Sequence, residues 1–152
     1  MLYLYLKWLH VLSAIMAVGA NATYAIWLLR AEKAPENLPF TLKSIKVLDD
    51  RVANPAYGLL LITGLWMALT VPIPLTTPWL LTALVLYGVL VLVGILGYTP
   101  TLRRQIGLLE EAGPGSPAYQ TQARRGAVIG IVLAVLAIGI VFLMVVKPAL
   151  WG

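Results

Sequence analysis

The chain has 152 residues, 61% of them hydrophobic and 11% charged, whereas soluble domains carry about 25% charged residues. The absence of cysteine excludes disulfides, thiolate-held zinc, iron–sulfur clusters and thiol catalysis. The net charge of +5 comes from basic residues that flank apolar segments, with no basic stripe interleaved with aromatics, so the sequence points away from nucleic acid and towards a lipid bilayer.

Four apolar stretches are long enough to cross a hydrocarbon core, which takes about 20 residues of helix. The first covers roughly residues 3–29. Ala20-Asn21-Ala22 resembles a signal-cleavage site, but Lys7 lies inside the run and the apolar stretch continues to Leu29, so the segment is expected to be retained. It carries His10, the single histidine, and a stripe of Ser13, Ala17 and Asn21 at packing intervals. Residues 39–52 read as a short interfacial helix, with Leu42, Ile45, Leu48 and Val52 on one face and Lys43, Lys46, Asp49 and Asp50 around it.

The second span, about 55–74, is predicted to start at Asn54-Pro55, an N-cap residue before a proline at the first helical position. A short turn around residues 72–78 leads to Thr77-Pro78, which reads the same way. The third span, 79–99, is expected to run on past Pro100 with a kink to about residue 111, where Gly113-Pro114-Gly115 ends it. Ser116-Pro117 opens the fourth, 117–146, whose Gly126, Gly130 and Ala134 form a small-residue ladder suited to close approach of another helix, in this chain or in a partner. The expectation is an all-α, polytopic, four-transmembrane-helix bundle forming one membrane domain.

Orientation follows from lysine and arginine. Arg30, Lys33, Lys43, Lys46 and Arg51 fall in the first gap and Arg103, Arg104, Arg124 and Arg125 in the third, nine of the eleven basic residues. Loops 30–53 and 100–125 are therefore expected in the cytoplasm and both termini on the outer side. All six acidic residues share the basic side. No acidic residue falls within the apolar spans, which counts against a proton or ion pathway and against an ion-coupled transporter.

The polar groups left for chemistry gather in the outer half. His10 is an ionisable group inside a span, and neutral imidazole is a common metal and haem ligand. The structural alternative is a ring whose nitrogens bond a neighbouring carbonyl or hydroxyl. Met67 and Met144 lie at a similar depth, and a His/Met pair is a known haem ligation, as is a pair of His10 residues across a dimer. Methionines are also ordinary packing residues. Lys7 and Lys147 share this layer and suit either snorkelling or pairing with an anionic group such as a propionate. Trp8, Trp66, Trp79 and Trp151 fit an aromatic belt.

Several runs carry a resemblance that spans nearly the whole chain: Lys7-Trp8-Leu9-His10-Val11-Leu12-Ser13-Ala14, Asn54-Pro55-Ala56-Tyr57 leading to Thr63-Gly64-Leu65, Pro74-Leu75-Thr76-Thr77-Pro78-Trp79, and Phe142-Leu143-Met144-Val145-Val146-Lys147-Pro148. Together they resemble an uncharacterised bacterial family of four-helix integral membrane proteins, a domain of unknown function. That family is in turn distantly similar to the HemJ-type protoporphyrinogen oxidases and to the copper-resistance D proteins. The HemJ likeness implies roles for His10 and Lys147, but residues 79–84 hold no lysine where those oxidases carry one, and no second histidine exists. The resemblance and the outer layer together imply a protein of the bacterial inner membrane that binds haem b or a porphyrin through His10, Met67, Met144 and Lys147. The alternative is a cofactor-free structural or accessory subunit that assembles through Gly126, Gly130 and Ala134.

Overall fold

The computed structural model describes residues 1–71 and 73–151; Pro72, where the predicted second gap opens, lies outside the described residues. Six α-helices follow in order: α1 Leu2–Glu32, α2 Leu38–Leu48, α3 Asn54–Thr70, α4 Pro78–Leu92, α5 Thr99–Ala112 and α6 Pro117–Val146. A 3₁₀ turn, Pro35–Asn37, leads into α2. Two π-helical turns, Asp49–Ala53 and Val93–Tyr98, join α2 to α3 and α4 to α5 without a break. Four continuous helices result, Leu2–Glu32, Pro35–Thr70, Pro78–Ala112 and Pro117–Val146, each long and apolar enough to cross a membrane.

The two π turns mark where the sequence reading of helix starts needs correction. Asn54 does not open a helix as an N-cap. Its backbone is helical (φ −62°, ψ −46°) and its N–H reaches back to the Asp49 carbonyl. Pro55 has no N–H to give, and its ring crowds the carbonyl one turn earlier. The chain accommodates this by widening into a π turn instead of stopping. Pro100 is met in the same way just after Val93–Tyr98. Ser116 does cap α6, its hydroxyl accepting from the Tyr119 N–H at 3.2 Å. Thr77 precedes α4 with a non-helical backbone (φ −56°, ψ 127°), but its hydroxyl donates backwards to the Pro74 carbonyl at 2.6 Å. Gly113 adopts φ +76°, which a side chain would resist, and ends α5 there.

Two helix pairs make the bundle. α1 lies along α3 and α6 along α4, and the pairs meet where α1 touches α6. The backbones of α3 and α4 stay farther apart. Tyr57 and Tyr87 fill that space edge to face, ring centroids 6.4 Å apart, and the Tyr87 hydroxyl donates to the Tyr57 carbonyl. α2 and α5 pack together at the end that carries the charged residues and rest on α1 and α6 respectively. Lys43 and Glu110 tie them by an exposed ion pair of 2.7 Å, worth at most about 1 kcal/mol.

The apolar core sits at this charged end. It comprises Tyr24 and Ala31 of α1, Leu38, Leu42 and Ile45 of α2, Leu102 and Leu109 of α5, and Tyr119 of α6. Within the spans only 11% to 17% of each apolar window is buried by the chain itself, so lipid takes most of the apolar surface. Buried positions there are mainly small or polar: Ser13, Ala17, Ala56, Thr63, Ala68, Ala83 and Ala137.

The glycine ladder of α6 divides between two environments. A Cβ on Gly126 would meet Gln105 Oε1 at 3.4 Å and the Thr101 methyl at 3.5 Å, so its close approach is to α5 of the same chain. Gly130 faces open space, and Ala134 is exposed. Gly126→Leu should therefore destabilise the fold by about 1–3 kcal/mol through overpacking, read as a lower thermal midpoint by circular dichroism in detergent. Gly130→Leu should leave that midpoint unchanged.

Candidate functional site

The face of α1 that meets α3 is polar at helical spacing: His10, Ser13, Asn21 and Tyr24, with fully buried Ala17 between. In hydrocarbon these groups need partners within the protein. Ser13 donates to the Leu9 carbonyl of its own helix at 2.8 Å. Asn21 donates across to the Tyr57 hydroxyl at 2.7 Å. Nδ1 of His10 lies 3.0 Å from Oγ1 of Thr63, itself buried.

The Thr63 bond assigns the histidine tautomer. The Thr63 hydroxyl donates its proton to the Leu59 carbonyl at 2.6 Å, so towards His10 it acts as acceptor. Nδ1 then carries the ring proton, and Nε2 keeps its lone pair. The Leu60 carbonyl also acts on the ring, and the one side-chain partner of the imidazole among the described residues is Thr63. Gly64 lets the ring sit here: a Cβ would stand 3.1 Å from His10 Cε1 and 3.5 Å from Nδ1. Sequence alone singled out His10, whereas its two supports are an ordinary threonine and glycine of α3 that only the packing of α1 on α3 brings to it.

The other predicted site residues divide between the two helix pairs. Met67 stands one turn beyond Thr63 on α3 and is half-buried; Met144 is half-buried on α6. Lys147 follows α6 in the left-handed conformation, φ 51°, and holds its ammonium 5.2 Å from the centre of the Trp79 ring. That cation–π contact is worth about 0.5–1 kcal/mol at an exposed site. It places Lys147 beside the start of α4. Trp8, Trp66 and Trp151 are exposed, as a belt at the membrane surface requires. No group of three histidine, cysteine or carboxylate side chains converges among the described residues. Two open hollows lie among those residues, one lined by Met1, Leu4, Tyr5 and Trp8 and one by Phe40, Lys43, Ser44, Val47 and Leu48.

A second polar centre, absent from the sequence reading, lies at the charged end. Asp49 is buried at 5% exposure in the first π turn, ahead of the apolar part of its helix. Its Oδ2 accepts from the Asn54 amide at 3.3 Å, and the Thr99 side chain approaches the same carboxylate. Burial pushes the Asp49 carboxyl above its ordinary value and the Asp50 charge adds to this, against opposing effects of Lys46, Asn54 and Thr99. Tyr24 stacks on Tyr98 with ring centroids 6.5 Å apart. The Tyr24 hydroxyl is buried without a partner. One signal for Asp49 was present: it extends the buried Leu42, Ile45 spacing of α2 by one further turn.

Four apolar helices, a lipid-exposed surface and polar groups satisfied across helix contacts define a polytopic α-helical integral membrane protein. The chain belongs to the family described as "predicted integral membrane protein (DUF2269)", which matches residues 4–148. No curated protein and no solved structure matches it.

The α1–α3 contact makes a specific demand on its residues. Thr63→Val should cost about 1 kcal/mol, the scale of hydrogen bonds between membrane helices, and Gly64→Ala should push the imidazole from its place. Nitrogen-15 NMR of the His10 ring checks both: the wild type should show the Nδ1–H tautomer, and the two variants a mixture.

Proposed function

We propose that the protein binds haem b or a related porphyrin, with Nε2 of His10 as an axial ligand. The observation that carries this reading is the commitment of Nδ1–H to Thr63. A ligating histidine characteristically donates its other ring N–H to a fixed acceptor, which sets the tautomer and aims the free nitrogen. The donor set fits haem better than a bare metal ion, since a porphyrin needs one or two protein ligands and not a cluster. Haem would supply one-electron chemistry. Met67, Met144 and a second copy's His10 are the alternatives for the opposite ligand. Lys147 would counter a propionate and would leave Trp79 to do so. The charge asymmetry supports a placement in the bacterial inner membrane with the charged end in the cytoplasm and both termini outside.

A second reading, a cofactor-free accessory subunit, is favoured by a different observation. Thr63 and Gly64 already account for His10 as a clasp between α1 and α3, and His10 lines neither of the two open hollows. Gly130 and Ala134, open on α6, would then face a partner helix.

An absorption spectrum separates the two. Protein purified under haem-replete conditions should show a Soret band that is lost in His10→Ala and changed in Met67→Leu or Met144→Leu if either is the opposite ligand. Colourless protein that also fails to take up added haemin would overturn the first reading. Dissociation of an oligomer or complex by Gly130→Leu with Ala134→Leu would support the second.

A further inference from the structure

A carboxylate without an ion-pair partner is costly to bury, and such a group holds a proton more readily than it holds its charge. Asp49 meets that description. Lys46, about one turn before it on the same helix, pairs with the exposed Asp50 instead. Asp49 forms no salt bridge among the described residues; its hydrogen-bond donors there are the uncharged Asn54 amide and the Thr99 side chain. The other five acidic residues, Glu32, Glu36, Asp50, Glu110 and Glu111, are all exposed.

A second, independent observation comes from α1, which packs against the Asp49–Ala53 turn. Tyr24, 5% exposed, brings to this region a hydroxyl with no partner among the described residues, and Asp49 is the charge that acts on it most strongly. The two are not hydrogen-bonded in the structure, but a neutral carboxyl would bring an O–H to this region that the phenol oxygen is able to accept. The ionisable groups around the carboxyl come from each element packed on the turn: Tyr24 from α1, Lys46 from α2, Asp50 from the turn itself and Tyr57 from α3. Tyr98 stands at the junction of α4 and α5. Lys46 is the only cation among them.

We propose that Asp49 is a proton-binding site: it takes one proton from the charged side of the membrane and holds it inside the bundle, where the unpartnered Tyr24 hydroxyl turns to accept from the carboxylic O–H. The step is a simple transfer, in which a hydronium gives its proton to the carboxylate and leaves as water, with no electron moved. The site gives the bundle an internal proton donor at its charged end. It stands independently of any ligand at His10, on the opposite stretch of α1.

Infrared difference spectroscopy on the full chain in phosphatidylcholine–phosphatidylglycerol nanodiscs tests this. The wild type should show a single carboxylic-acid carbonyl band at neutral pH that disappears on raising the pH. Asp49→Asn should lose the band. Tyr24→Phe should hold the proton about tenfold more weakly, seen as a midpoint about one pH unit lower, and this variant keeps the test decisive should Asp49→Asn fail to fold. No band in the wild type, or a band that survives in folded Asp49→Asn, would overturn the proposal. So would a band suppressed when sodium chloride replaces choline chloride, which would make the site one for a metal cation.

Discussion

Hydrocarbon solvates a leucine about as well as a protein interior does, so apolar surface alone cannot hold membrane helices together. What holds this bundle is the contact of α1 with α3. There the backbones come close over Ser13, Ala17, Ala56, Thr63 and Gly64, and polar groups that lipid would leave unsatisfied find partners across the gap. His10 to Thr63 and Asn21 to Tyr57 are two such bonds, separated by eleven residues of α1 or about 16 Å along its axis. They fix both the depth and the rotation of one helix against the other. The packing of α4 on α6 follows the same rule with fewer polar groups, Ala83 and Ala137 being its small buried residues.

The two prolines within helices shape the opposite end. A break at Pro55 or Pro100 would leave unpaired backbone groups near the edge of the lipid, where they are expensive. A π turn keeps most of the ladder and changes the helical phase. After Asp49–Ala53 the chain enters α3 already in place against α1, while α2 stays folded over the charged end. After Val93–Tyr98 the amphipathic α5 can rest on α6 and α2. The apolar core under these two helices is packed as in a soluble protein, with Leu42 and Ile45 nearly inaccessible. The molecule thus has a lipid-solvated half held by small and polar contacts and a charged end held by ordinary hydrophobic burial.

Chemistry follows the same division. Towards the termini, a histidine is fixed through Nδ1 against a threonine of the facing helix. At the charged end, a lone carboxyl is enclosed with tyrosines. Ala17, fully buried, and its apolar surroundings lie between. The polar stripe of α1 connects the two ends along one face without forming a continuous chain of bonds.

The all-helical class, the number of spans and the asymmetry of charge were legible in the sequence. They depend on local composition and on segment length against bilayer thickness, quantities that each segment carries by itself. His10 stood out for a similar reason, since an ionisable group in an apolar run is conspicuous. What it touches was not legible: Thr63 and Gly64 lie more than fifty residues away, and only the docking of α1 on α3 brings them together. Asn54 read as a helix start because an N-cap before proline is a local pattern, and local pattern does not reveal that a π turn carries the helix through. Asp49 read as part of a solvated charged face beside Lys46 and Asp50. Tertiary packing of α1 and α3 on its turn removed it from water and left it the one buried acid among the described residues.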